Sequence, residues 1–160
     1  RIVETANASG VSVEGEVGFV GYAEGTPSAN TLPEEAARFN NESGATAMAI
    51  SVGNVHLKTE KTSGINFDAL KAIEEVTTLP LVLHGGSGIP VNIRKRLARE
   101  SRVSKFNIGT ELRMAFGNSL RKSLTENPKI FDRITLLSPT VDTVKSATIE
   151  VICALNGKPE

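Results

Sequence analysis

Two histidines, a pair of carboxylates and a glycine-rich turn are the residues of this chain that could do chemistry. His84 closes the apolar run Leu81-Val82-Leu83 and is followed by Gly85-Gly86-Ser87-Gly88-Ile89-Pro90. Glycines let backbone N–H groups approach an anion closely, and the start of the helix that follows favours negative charge. His84 therefore reads either as a metal ligand or acid–base group beside a phosphate cradle, or as a structural histidine with its hydrogen bonds satisfied. His56 lies just past a second apolar run. Glu14 and Glu16 alternate with Gly15 and Val17 and so share one face of an extended segment. Asn107 and Thr110 follow a further run, residues 103–108.

These residues need elements to position them. Residues 1–9 have helical apolar spacing and stop at Ser9-Gly10, a helix-end signal. Residues 11–18 alternate with a period of two and predict a strand; Gly15 and Gly18 are poor strand residues and imply that something packs or binds closely there. Residues 19–31 form a long polar loop carrying Glu24, and loops of that length are often functional. Thr31-Leu32-Pro33-Glu34 has capping-box spacing and starts a helix over 33–43. Residues 46–52 predict a strand covered on both faces. A polar loop, 58–64, leads to a helix over 67–76 with Asn66 as N-cap.

After Pro90 the spacing predicts a helix over 91–101, with Ile93, Leu97 and Ala98 inward and Arg94, Lys95, Arg96 and Arg99 on a solvated outer face. A strand over 103–108 and a helix over 111–124 come next. A last helix is expected from Ser138 as N-cap and Pro139 at its first position to Asn156, stopped by Gly157. Its stripe is Val144, Ala147, Thr148, Val151 and Leu155, with Ile152 beside it. Strand–helix repetition predicts an α/β fold with a parallel sheet, either half a barrel or a small open sheet. In each unit the polar residues of interest lie at or after the C-terminal end of the strand, where β/α folds gather their chemistry.

Composition narrows the classes. The 160 residues are 39% hydrophobic and 22% charged, with 18 basic and 18 acidic side chains. That balance leaves no electrostatic footprint for nucleic acid, so an anion site must be local. No apolar run is long enough to span a bilayer and no signal peptide is visible, so no membrane partner is expected. The single Cys153 allows no internal disulfide, fits a reducing cytoplasmic setting and reads as a small buried hydrophobe on a helix. The chain begins abruptly in a helix-like segment, as a piece of a longer protein would.

Four ordered stretches resemble the class II, metal-dependent fructose-bisphosphate and tagatose-bisphosphate aldolases. Val13-Glu14-Gly15-Glu16-Val17-Gly18 is similar to their Val-Glu-Ala-Glu-Leu-Gly strand, and residues 49–56 to the strand that ends in a Gly-x-x-His. His84-Gly85-Gly86-Ser87-Gly88-Ile89-Pro90 matches their His-Gly-Gly-Ser-Gly-x-Pro turn, and Lys105-Phe106-Asn107-Ile108-Gly109-Thr110-Glu111-Leu112-Arg113 resembles their Lys-x-Asn-x-x-Thr-x-x-Arg strand. The resemblance implies a single domain, residues 1–160, forming the C-terminal half (strands five to eight) of a (β/α)8 barrel. A whole barrel takes about 250 residues.

By the same resemblance, His56, His84 and Glu16 are zinc ligands, with Glu14 in support and a monovalent cation nearby. Gly85, Ser87, Asn107, Gly109 and Thr110 hold the phosphate and enediolate of the ketose, with Asn107 catalytic. Glu24 is the acidic loop residue near the reacting carbon. The implied reaction is reversible cleavage of a phosphorylated ketose into dihydroxyacetone phosphate and an aldehyde, through a zinc-stabilised enediolate and without a lysine Schiff base. A further zinc-ligating histidine and a catalytic aspartate are expected upstream, and a homodimer or tetramer is expected of the full-length protein. Two positions depart from the pattern: Leu57 replaces a usual glycine, and Glu60 stands where a lysine is common. These departures leave open a second reading, a non-catalytic relative that binds metal or sugar phosphate as a partner subunit.

Overall fold

The computed structural model describes residues 1–62 and 64–156. Its elements run α1 (Ile2–Ala8), β1 (Glu14–Val17), α2 (Pro33–Glu42), β2 (Ala47–Ile50), α3 (Phe67–Val76), β3 (Leu81–Leu83), a 3-10 turn (Gly86–Gly88), α4 (Val91–Glu100), β4 (Val103–Phe106), α5 (Thr110–Glu126) and α6 (Arg133–Asn156). The strands form one sheet in the order β1-β2-β3-β4, and every neighbouring pair is parallel. The expected α/β architecture is therefore present.

One face of the sheet is closed by helices. Met48 and Ile50 of β2 and Leu81 and Leu83 of β3 pack into a core with Ala36 of α2, Leu70 and Ile73 of α3 and Leu97 of α4. Burying such side chains is worth about 1.5–3 kcal/mol each, which fixes which face points outward. Gly15 also faces the helices. A Cβ there would lie 2.5 Å from the Phe39 ring of α2, so the glycine lets helix and edge strand approach. The alternation then commits Glu14, Glu16, Ala49, Val82 and Lys105 to the opposite face, and the register places Glu16 beside Ala49, Ala49 beside Val82, and Val82 beside Lys105.

That second face is concave. On a flat sheet the first and fourth strands would lie about 14 Å apart, yet Lys105 of β4 reaches Glu14 of β1 at 2.7 Å. The sheet curls as the wall of a barrel does. Among the described residues no helix is long and apolar enough to cross a membrane.

Several local expectations are corrected. The strands are shorter than predicted: Glu14–Val17 rather than 11–18, Ala47–Ile50 rather than 46–52, and Val103–Phe106 rather than 103–108. Thr31 does not cap α2. Its hydroxyl donates to the Val17 carbonyl and accepts from the Ser51 N–H at 2.8 Å, tying the ends of β1 and β2 together, while Leu32 takes the N-cap position. Asn66 does cap α3, accepting from the Ala69 N–H at 3.0 Å.

Arg94 is not solvated. It is 1% exposed, the largest fully buried side chain, and pairs with Glu111 at 3.0 Å. Ala98 is exposed rather than inward. The last helix begins at Arg133, not Ser138: the Asp132 carboxylate accepts from the N–H and hydroxyl of Thr135, at 2.8 and 2.7 Å, and Pro139 lies inside the helix. Val144, Ala147, Thr148, Val151 and Leu155 form its partly buried stripe, whereas Ile152 is exposed. The helix stop assigned to Gly157 falls outside the described residues.

Candidate functional site

The concave face carries a cluster of imidazoles and carboxylates, with His56 and His84 past the C-terminal ends of β2 and β3 and Glu14 and Glu16 reaching them from within β1. His84 follows β3 directly, and its ring is bracketed by the two glutamates of β1. Nε2 lies 3.1 Å from Glu14 Oε1 and Nδ1 lies 3.0 Å from Glu16 Oε2. Period-two alternation aims both glutamates inward, and sheet curvature brings them to a histidine two strands away. Glu14 also accepts from Lys105. Burial works to raise the Glu14 pKa, but hydrogen bonds from Lys105 and His84 outweigh it and hold the carboxyl below its ordinary range.

His56 reaches the same place by another route. Its ring centroid lies 5.6 Å from that of His84, tilted by 44°. Burial and the neighbouring His84 hold the His56 ring below the ordinary histidine pKa, so it favours the neutral form that can ligate a metal. Buried Asn54 fixes the backbone between the two histidines. Its amide nitrogen donates to the carbonyls of Ile50 and His84 at 3.2 and 3.1 Å, and its oxygen accepts from the Val52 N–H. The long loop is pinned here as well: the His56 N–H donates to Gly21 O at 2.7 Å, the Ala23 N–H donates to His56 O, and the Tyr22 ring stacks on His56 at 5.1 Å.

The donor chemistry of His56, His84 and Glu16 suits a zinc ion. Zn–N bonds of about 2.0–2.1 Å in a tetrahedral shell put two ligating ring centroids roughly 5 Å apart, close to the observed 5.6 Å. Among the described residues, however, no group of three or more His, Cys, Asp or Glu side chains is closed into a metal-holding arrangement. Glu16 sits at His84 Nδ1, where a metal would have to enter.

Beside the histidines lies a cleft of about 440 Å³, lined by His56, Leu57, Gly85, Ser87, Asn107, Gly109, Thr110 and Arg113 among others. It brings together every residue proposed from sequence for phosphate contact. Gly85 adopts φ +64°, and a Cβ there would lie 2.2 Å from the Val55 carbonyl, so only glycine lets the turn pack against the segment leading to His56. The Gly86 N–H donates to Asn107 O at 3.0 Å and the Asn107 N–H to Leu83 O at 2.9 Å, holding Asn107 against the turn. Ser87 Oγ accepts from the Glu111 N–H at 3.1 Å. Glu111 in turn binds Lys61 at 2.6 Å and buried Arg94 at 3.0 Å, which clamps the loop after His56, α4 and α5 together. Leu57 has φ +56°, the left-handed backbone a glycine would take without strain.

The structure does not bring Glu24 into this assembly. It is exposed on the loop, outside both the carboxylate–imidazole cluster and the cleft lining. Sequence reasoning left Lys105, Tyr22 and Arg113 without roles. Lys105 was within reach, since it shares the inward parity of Asn107 two residues on, and so was Arg113, which closes the same stretch three residues after Thr110; the Tyr22 stack depends on side-chain packing that no local pattern carries.

A curled parallel sheet with an imidazole–carboxylate cluster and an adjoining cleft on its concave face defines the candidate site of an α/β fold. The sequence model of the class-II fructose-bisphosphate aldolase family matches residues 1–158, and the chain belongs to that family. It is 34% identical over 153 residues to a fructose-bisphosphate aldolase of Geobacillus stearothermophilus, covering 93% of this chain and 53% of that protein. Among solved structures it is similar to the YdjI aldolase of Escherichia coli K12, with TM-score 0.69 and 27% identity over 96% of this chain and 51% of the other. It also shares the fold of a Campylobacter jejuni fructose-bisphosphate aldolase, with TM-score 0.68 and 23% identity over 97% and 54% of the two chains. The chain thus spans about half the length of the relatives it matches.

Proposed function

We propose that residues 1–160 form the C-terminal half-barrel of a metal-dependent aldolase that reversibly cleaves a phosphorylated ketose into dihydroxyacetone phosphate and an aldehyde. The observation that carries this reading is the convergence of His56, His84 and Glu16 beside a cleft built from Gly85, Ser87, Asn107, Gly109 and Thr110. In that role His56, His84 and Glu16 hold zinc, completed by a ligand from outside these residues. A bound zinc ion supplies Lewis-acid polarisation of the ketose carbonyl and stabilises the negative charge left by C–C cleavage.

The chain's own residues do the rest. Glu14 holds His84 Nε2 and fixes the ring, leaving Nδ1 directed at the Glu16 side. The turn at Gly85 and Ser87, with Gly109 and Thr110, cradles the phosphate through backbone N–H groups and hydroxyls. Asn107 holds the dihydroxyacetone unit in the geometry that cleavage needs. By the family resemblance Glu24 is the acid that exchanges a proton at the reacting carbon, although in this structure it is exposed outside the cleft. Glycine-like backbone at Leu57 favours a working phosphate site over a non-catalytic relative, because the departure in residue type has kept the shape. A cytoplasmic homo-oligomer is the setting we expect.

Fructose bisphosphate, named in the description of the Geobacillus relative, is the first substrate to assay. The full-length protein should release dihydroxyacetone phosphate from it or from another ketose phosphate. Chelation should abolish the activity and added Zn²⁺ restore it. Activity that survives chelation and is trapped by borohydride would overturn the proposal.

A further inference from the structure

We propose that Tyr22 is a positioning residue of the site: its ring, stacked on His56, fixes the orientation of that imidazole, as Glu14 fixes that of His84. The consequence for metal binding rests on the reading of His56 as a zinc ligand; the holding of the ring does not.

The two histidines are held by different means. A ligating histidine is ordinarily fixed by a hydrogen bond between its second ring nitrogen and a carboxylate or backbone carbonyl. His84 has such a partner in Glu14, 3.1 Å from Nε2. Among the described residues neither ring nitrogen of His56 enters a hydrogen bond or an ion pair. Buried Asn54 and the ties of the long loop secure the backbone at His56, but backbone bonds leave the two side-chain torsions of a histidine free. The Tyr22 ring supplies the missing restraint.

Its place there is built by the backbone. Tyr22 and His56 are partners in an isolated parallel bridge. The His56 N–H donates to Gly21 O at 2.7 Å, and the Ala23 N–H donates to His56 O at 3.0 Å. Residues paired in this way point their side chains to the same side, so the two rings must meet. Their centroids lie 5.1 Å apart with the planes at 29°, inside the range of about 4.5–7 Å over which aromatic rings attract. The loop behind Tyr22 is secured as well. The Gly21 N–H donates to Ser28 Oγ at 3.0 Å and the Tyr22 N–H to Thr26 O at 3.2 Å. A Cβ on Gly21 would lie 2.4 Å from Thr26 O, so the turn closes this tightly only on a glycine.

The ring, not the hydroxyl, carries the role. Tyr22 is 48% exposed, and among the described residues its hydroxyl makes no hydrogen bond. Phenylalanine at this position keeps the stack. Alanine removes it and leaves the bonds of Gly21, residue 22 and Ala23 in place, because all of them are made by main-chain groups.

The test uses the full-length protein with Tyr22→Ala and Tyr22→Phe. Carbon relaxation at His56 Cε1, assigned by the loss of its signal in His56→Gln, measures ring order in the zinc-free protein. The ring should be ordered in the parent and in Y22F and should lose order in Y22A. Competition with a chromogenic chelator should show zinc binding roughly 10-fold weaker in Y22A, the effect of freeing a ligating histidine, and restored in Y22F. An equally ordered His56 ring in Y22A overturns the proposal whether or not the protein binds zinc. Zinc affinity unchanged in Y22A, or lowered equally in Y22A and Y22F, also overturns it. A parent protein that takes up no zinc, with ring order still lost in Y22A, would overturn the metal reading and leave Tyr22 as the residue that holds His56.

Discussion

The Lys105 ammonium lies 2.7 Å from the Glu14 carboxylate, although the two residues come from β4 and β1, the opposite edges of the sheet. The same carboxylate reaches His84 Nε2 at 3.1 Å with its other oxygen. Lys105 therefore fixes the histidine through Glu14, and it does so only because the sheet is curled. Replacing Lys105 by Met should lower zinc affinity about 10–100-fold, the usual effect of removing a partner that orients a ligating histidine. Competition with a chromogenic chelator measures this, and unchanged affinity would show that Lys105 serves only to close the sheet.

Leu57 occupies left-handed backbone at φ +56° on the cleft wall, with its side chain largely exposed. A leucine there costs roughly 1–2 kcal/mol relative to a residue without a Cβ, partly offset by the extra freedom of glycine in the unfolded chain. Leu57→Gly should therefore raise stability by about 0.5–1 kcal/mol in denaturant melts. A loss of stability would mean that the leucine side chain makes up for its backbone.

Buried Arg94 pairs with Glu111, and among the described residues its Nε finds no partner. Removing one member of such a pair strands the other charge, so Arg94→Met alone should destabilise by about 3 kcal/mol. Lys61 still contacts Glu111, which limits the damage. Replacing Glu111 by Leu as well should recover much of the loss. Full additivity of the two substitutions would contradict the coupling.

The pH dependence follows from the same carboxylate. Burial would raise the Glu111 pKa, but Lys61 and Arg94 bring it below its ordinary value of 4.5. The folded protein then holds this proton less tightly than the unfolded chain does. The stability it contributes is complete above pH 4.5 and is lost as pH falls through the lower folded-state value. Melting temperature should drop on acidification over that range, and more shallowly in Glu111→Gln. Parallel curves for the two proteins would remove Glu111 from the acid response.

Much of this was legible in the sequence, for physical reasons that also mark where legibility ends. His56, His84, Asn107 and Thr110 follow the strands of a parallel fold, and Glu14 and Glu16 share an inward face by parity alone, so local patterns were enough to gather them. Arg94 was misread because a run of cations is ordinarily solvated. Its burial depends on Glu111, on another helix, which no local rule reveals. Ser138-Pro139 carries a genuine helix-start signal, yet Asp132 and Thr135 provide an earlier cap and the helix runs through the proline. Thr31 has the chemistry of a cap, but strand-end carbonyl and amide groups compete for its hydroxyl and win. Local preference decides only where tertiary partners are indifferent.

The central claim, that His56, His84 and Glu16 hold a catalytic metal, is tested most directly by anomalous diffraction at the zinc edge from crystals of the full-length protein grown with Zn²⁺. The account predicts one strong peak bounded by His56, His84 Nδ1 and the Glu16 carboxylate, absent from crystals of His84→Ala. A metal-replete, active protein with no peak between these residues would contradict it.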